Sequence, residues 1–468
     1  MVELLRRFYS TRNMLRPEQK LGEVPTTKAA YRRNFSLSWP SALEAVLISL
    51  VASVDIVMVG VLGTNAITAV GITTQPKNIL LSVILSLDIG ITAIVARRKG
   101  ENDIVGANRS LKQGLIISAA LSLIMTILGF VFASDVIRFA GAQADIMADA
   151  TAYFQIILIG NFFASLGLTI NAAQRGIGNT KISMRTNVVA NIFNLVFDYL
   201  LISGNFGFPK LGVAGAAVAT LIGNVAGFLL SVRSITQQDS FLNIRLSNDW
   251  RFDKKTIFGI VKVGSSAMVE QVFMRIGFFS YAKIVAGLGT VAFAAHQIGM
   301  NILNLSFSFG DGFSVAASSL VGQSLGEKRP DKAIIYAKVG QRFALTVSVL
   351  LSLTFLAGNT LFVQIFSNDP AIIAMSRPLT VIIAITTLGQ ITSVVLSGCL
   401  RGAGDVLYTA WVSLISIGLI RPLASWLLCY PLGLGLTGAW LGLLLDQMLR
   451  LVLVYLRFRG DKWTKITL

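Results

Sequence analysis

The chain has 468 residues, 54% of them hydrophobic and only 13% charged, where an ordinary soluble domain carries about 25% charged residues. That leaves too little polar side chain to solvate a globule of this size. A soluble fold is excluded, and with it a nucleic-acid reading of the net charge of +17. One histidine and two cysteines exclude a multi-ligand zinc or iron site, and no metal is expected.

Runs of about 20 mostly apolar residues predict membrane-spanning helices. Twelve occur in order: 36–60, 70–96, 113–134, 148–172, 184–204, 212–233, 259–286, 292–320, 343–366, 371–400, 407–429 and 434–457. Only the stretch after the sixth is long. The expected organisation is a cytoplasmic N-terminal segment 1–35, a six-helix bundle 36–233, a cytoplasmic linker 234–258, a second six-helix bundle 259–457, and a cytoplasmic tail 458–468. The fold class is an all-α membrane protein. Cys399 and Cys429 fall at opposite ends of neighbouring helices, which argues against a disulfide.

Lys and Arg set the orientation. Of the 40, 32 fall in the N-terminal segment, the tail, and in or beside the loops after the even-numbered helices. Both termini are therefore expected in the cytoplasm, and the positive charge also meets anionic membrane lipid.

The second half repeats the first at an offset of 226 residues. Gly63-Thr64 recurs as Gly289-Thr290, Gly100-Glu101 as Gly326-Glu327, and Arg175-Gly176 as Arg401-Gly402. Glu44 recurs as Glu270. Six helices per half is an even number, so the repeat is parallel, about an axis along the membrane normal. A duplicated apolar bundle points to a transporter with its pathway between the halves.

Carboxylates inside a bilayer are costly, so each requires a reason. Asp55 lies about 8 Å from the outer end of the first helix at ~1.5 Å per residue. Asn194 and Asp198 share one face of the fifth helix at a similar depth. The sixth helix returns Thr220 to about 12 Å below the outer surface. These four residues predict one polar cluster. At the 226 offset stand Tyr281, Ile420, Ala424 and Asp446, so only the first half carries it. Two neighbouring carboxyls in low dielectric cannot both stay ionised cheaply, and such a pair binds and releases a proton. The alternative is a hydrogen-bonded pair that only locks the three helices.

Glu44 and Glu270 sit near the inner ends of the first helix of each half, where symmetry favours a structural role. Glu270 is followed by Gln271 and Arg275 and is also a candidate for meeting cationic substrate. His296 is read as a packing residue, with a proton relay as the alternative. Asp446 and Arg450, spaced i, i+4, predict an ion pair. Arg421-Pro422 predicts a kinked helix with a buried cation. No nucleophile or metal constellation indicates an enzyme.

Several ordered motifs are shared with one transporter family. Pro40 precedes Val54-Asp55-Ile56-Val57-Met58-Val59-Gly60. Asn194-Leu195-Val196-Phe197-Asp198 and Gly215 to Thr220 follow in the fifth and sixth helices. The second half has Ala294-Ala295-His296-Gln297, Leu320-Val321-Gly322-Gln323-Ser324-Leu325-Gly326 and Leu400-Arg401-Gly402. After residue 33 the chain resembles the multidrug and toxic compound extrusion (MATE) family, especially its DinF-like bacterial branch. The resemblance implies a V-shaped pair of six-helix bundles working by alternating access. It implies a multidrug exporter of the bacterial plasma membrane, moving amphipathic organic cations in exchange for H+ or Na+, with Asp55 as the coupling residue. Some sodium-coupled relatives carry an acid where this chain has Gln390, and another at the place of Met274. Their absence argues against a sodium site in the second half. Protons are the expected coupling ion, with Na+ at Asp55/Asp198 as the alternative. No other cofactor is expected, and the chain is expected to act as a monomer. A flippase of lipid-linked precursors is the second function that the family offers.

Overall fold

The computed structural model describes residues 2–237, 240–246, 250–367 and 369–466. Twelve long helices follow in order: α1 Thr27–Gly60, α2 Thr64–Gly100, α3 Ile104–Val131, α4 Met147–Gly176, α5 Thr180–Ser203, α6 Val213–Ser234, α7 Lys254–Ala286, α8 Thr290–Gly326, α9 Pro330–Ala357, α10 Pro370–Ala403, α11 Val406–Cys429 and α12 Gly435–Arg459. Among the described residues no strand is present. All except α8 are apolar and long enough to cross a membrane on composition alone. α8 is as long but carries Asp311 and a series of serines.

Every apolar run predicted to span lies largely within one of these helices. The helices also continue past the apolar runs, because backbone hydrogen bonding does not stop where hydropathy falls. α1 begins at Thr27 rather than 36, and α2 ends on Arg97-Arg98-Lys99 before Gly100. The ninth helix departs most from the prediction of 343–366. Pro330 starts it, as suits a residue without an N–H at a helix N-terminus. It stops at Gly358, and a separate short helix, Asn359–Gln364, follows.

α11 is interrupted. Residues Leu414–Ile420 form a π-helical turn directly before Arg421-Pro422. Pro422 has no N–H and its ring crowds the carbonyl four residues back, so the preceding turn widens. The kink expected from Arg421-Pro422 is accommodated in this way.

The chain forms two compact units, Leu43–Ser265 and Met1–Ala42 with Ser266–Leu468. Their boundaries fall inside α1 and α7, so they differ from the linear bundles 36–233 and 259–457. In the first unit one core holds Leu87, Ile91 and Ile94 of α2, Ile170 of α4, Leu242 of the linker and Ile260 of α7. The linker is held there by polar contacts. Asn108 donates to the Phe241 carbonyl at 3.0 Å and accepts from the Asn243 N–H at 2.7 Å. Near the α1–α2 turn a second core gathers Val59, Ala66, Tyr153, Ile157, Ile202 and Ala217.

In the second unit the N-terminal segment runs as a strap. Met14 and Leu15 are buried in a core with Leu320, Tyr336, Leu400 and Phe458. Lys338 donates to the Met14 carbonyl at 2.6 Å, Arg329 to the Glu23 carbonyl at 2.8 Å, and Gln19 to Asp461 at 2.7 Å. Cys399 and Cys429 are both buried and free.

Candidate functional site

α5 and α6 approach backbone to backbone because two glycines leave room. A Cβ at Gly223 would stand 2.5 Å from the Ala190 carbonyl oxygen, and one at Gly215 would stand 2.6 Å from that of Leu201. This approach lets Asn194 reach across. Its amide nitrogen donates to Asp198 at 3.1 Å and lies 3.3 Å from the Thr220 hydroxyl. Thr220 donates in turn to the Ala216 carbonyl at 3.0 Å. Asn194 and Asp198 are buried.

Asp55 of α1 meets Asp198 within hydrogen-bonding reach, side chain to side chain. Two ionised carboxylates only accept hydrogen bonds, so a bond between them requires one proton. The Oδ1 atoms of both are buried without a hydrogen-bond partner in the protein. Asp55, Asn194, Asp198 and Thr220 are thus brought together in one unit.

Two further groups lie within electrostatic range of this cluster. Tyr153 of α4 is buried beside both carboxylates, and Lys77 of α2 acts electrostatically on Asp55. Neither is among the sequence-based candidates. For Lys77 a signal exists: it is the only charged residue between Asn65 and Leu87.

The remaining candidates lie elsewhere. Glu44 accepts from Ser183 at 3.0 Å and from Asn187, with Arg175 at 3.8 Å. Glu270 accepts from Thr409 at 3.0 Å, Ser413 at 3.2 Å and Arg401 at 3.2 Å. Partner for partner, the second set is the first displaced by 226 residues. Each set ties the first helix of a half to the end of its fourth helix and the start of its fifth. Glu270 has one addition, the buried Arg450 at 3.8 Å. Gln390 is buried and accepts from Ser306 of α8 at 3.0 Å. His296 packs edge-on against Tyr281 and Trp440, at 5.2 and 5.7 Å between ring centres.

The i, i+4 pairing of Asp446 with Arg450 is corrected. Asp446 pairs with Arg421 of α11 at 2.6 Å, and the Arg421 guanidinium also lies over the Phe278 ring at 4.6 Å. Arg450 turns to Glu270 instead. A cation from a neighbouring helix satisfies the buried acid more closely than one on its own helix face. The two halves therefore differ chemically at equivalent places. The second holds an acid neutralised by arginine, and the first holds two acids in contact. Among the described residues no group of three or more His, Cys, Asp or Glu side chains is arranged to hold a metal ion.

A family model described as MatE matches residues 40–200 and 266–427, the second match beginning where the 226 offset carries residue 40. The chain belongs to the MatE family. As such it is a multi-pass membrane protein. It is 28% identical to the probable multidrug resistance protein NorM of Thermotoga maritima, over 95% of this chain and 94% of that one. It is 27% identical to the uncharacterized transporter YisQ of Bacillus subtilis, covering 92% and 94%. It is 25% identical to the multidrug resistance protein PmpM of Pseudomonas aeruginosa, covering 89% and 88%. Among solved structures it is similar to the outward-facing conformation of a multidrug resistance MATE family transporter of the MOP superfamily, with a TM-score of 0.86 and 22% identity over 92% and 95% of the two chains. That likeness carries the MatE fold, two six-helix repeats.

Proposed function

We propose that this MatE protein is a secondary-active multidrug exporter that exchanges amphipathic, mostly cationic organic compounds for protons by alternating access. The observation that carries the reading is the Asp55/Asp198 contact, two carboxyl groups within hydrogen-bonding reach of each other inside a membrane bundle. The multidrug resistance names of the relatives support the substrate class. Coupling requires a ligand that stabilises one of two states more than the other. A proton on the carboxyl pair and a bound organic cation satisfy this by competing for the same negative charge. The distribution of Lys and Arg supports placing both termini in the cytoplasm, in the plasma membrane of a bacterium.

The two unpartnered Oδ1 atoms favour a second reading, in which Na+ is the coupling ion at the same site. Hard oxygen ligands suit that cation.

The test is accumulation of a fluorescent organic cation in bacterial cells that lack their own efflux pumps. Expression of the wild type lowers accumulation, and Asp55→Asn expressed to the same level does not. Equal accumulation with wild type and empty vector, across a panel of organic cations, overturns the export reading.

A further inference from the structure

Asp88 of α2 lies in the seam between α2 and α4, buried with 3% of its surface exposed. The Thr169 hydroxyl of α4 donates to its Oδ1 at 2.9 Å, and its Oδ2 is buried without a hydrogen-bond partner. One turn further along the seam, Thr92 donates to the Ala172 carbonyl at 3.0 Å. There a Cβ at Gly176 would stand 2.9 Å from the Thr92 carbonyl oxygen, so the two helices are in backbone contact. Leu87 and Ile91 beside Asp88, and Ile170 beside Thr169, belong to the apolar core of the first unit.

Charged groups on the packed helices are engaged elsewhere. Arg175 of α4 acts electrostatically on Asp88, but its guanidinium meets Glu44 at 3.8 Å. Lys112 of α3 lies over the Trp250 ring, and Lys262 of α7 is exposed. Among the described residues no basic side chain forms an ion pair with Asp88. An isolated carboxylate in an apolar interior is so costly that the group takes up a proton instead. A neutral carboxyl needs little more than the Thr169 contact that this seam supplies. Ionisation would strand a charge there, so the proton leaves only in a conformation that admits water or a cation to the seam. Affinity that differs between two conformations is the property a coupling group requires.

Asp88 is also separate from the carboxyl pair. It follows the start of α2 by 24 residues, and Asp55 precedes the end of α1 by five. At ~1.5 Å per residue this puts them about 28 Å apart along the bundle. At the 226 offset stands Ser314, so the second half has no such acid.

We propose that Asp88 is a second proton-binding carboxyl of the first unit, one that holds a proton in this conformation and gives it up during transport. Its part in transport rests on the reading of the protein as a proton-coupled exporter; its protonation in this conformation does not.

The experiment uses full-length protein, comparing wild type, Asp88→Asn and Thr169→Val. In detergent at neutral pH, the infrared difference spectrum of wild type minus Asp88→Asn shows the C=O stretch of one un-ionised carboxyl. Thr169→Val keeps that band and moves it to higher wavenumber, because the carboxyl has lost its hydrogen bond. In proteoliposomes with the membrane potential clamped at zero, a gradient of one pH unit supports about a tenfold ratio of organic cation for each proton exchanged. Asp88→Asn, exchanging one proton fewer, reaches a steady-state ratio about tenfold below wild type. A difference spectrum without the carboxyl band overturns the proposal, and so does an accumulation ratio equal to that of wild type. Should Asp88→Asn not fold, Asp88→Ser, the residue type at the equivalent Ser314, decides by the same two measurements. Absence of any pH-driven accumulation by folded wild type refutes the exporter reading instead. The infrared band then still decides whether Asp88 carries a proton, so the two failures are distinguishable.

Discussion

Arg421 donates from Nε to the Asp446 carboxylate at 2.6 Å, with both side chains withdrawn from solvent. Their attraction offsets the cost of burying either ion only while the other remains. Arg421→Met is expected to lower stability by about 3–5 kcal/mol, the usual cost of stranding a buried partner. The double variant Arg421→Met/Asp446→Leu is expected to recover most of that loss. Thermal unfolding of the four proteins in detergent gives the coupling energy directly. Additive losses would mean that the pair does not act as one.

The two glutamate clusters share three equivalent partners, and Glu270 has a fourth, the buried Arg450. Arg175 beside Glu44 keeps some access to solvent, whereas Glu270 also neutralises Arg450, which has almost none. Glu270→Gln therefore leaves a buried cation unpaired and is expected to cost several times more stability than Glu44→Gln. Thermal unfolding of the two variants side by side checks this. Equal losses would contradict the burial argument.

Gly223 sets the spacing on which the Asn194–Thr220 contact depends. An added methyl at 2.5 Å from the Ala190 carbonyl must push α5 and α6 apart. Gly223→Ala is expected to destabilise by about 1–3 kcal/mol, the range for overpacking. It should reduce transport by more than its loss of folded protein explains. Flux normalised to folded protein measures this, and wild-type specific flux would contradict it.

The N-terminal strap hangs on few polar anchors, among them the Lys338 bond to the Met14 carbonyl. Lys338→Met removes that anchor and should raise the population in which residues 11–20 are open. Limited trypsin digestion at Arg12, Arg16 and Lys20 is then faster than in wild type. Unchanged cleavage would show that the buried Met14 and Leu15 hold the strap alone.

Much of this fold is legible in the sequence because two signals are long-range and redundant. Twelve apolar runs mark the spans, and the 226 offset aligns Glu44, Arg175 and Ser183 with Glu270, Arg401 and Thr409. Asp55, Asn194, Asp198 and Thr220 stand out because acids and amides are rare at those depths. Other features depend on packing that no local pattern records. The partner of Asp446 lies on α11, behind a π turn that shifts the phase of Arg421, whereas the i, i+4 spacing points to Arg450. The strap of residues 10–26 carries polar and apolar residues without a period. Two of its anchors are backbone carbonyls, those of Met14 and Glu23, which have no sequence signature.

The most direct test of the central claim is transport of an organic cation in proteoliposomes under an imposed pH gradient, without sodium, for wild type and Asp55→Asn. The account predicts gradient-driven flux in the wild type and its loss by at least about tenfold, or 1.4 kcal/mol, in the variant. Flux in Asp55→Asn that still follows the pH gradient at the wild-type rate would contradict a proton site built on Asp55 and Asp198.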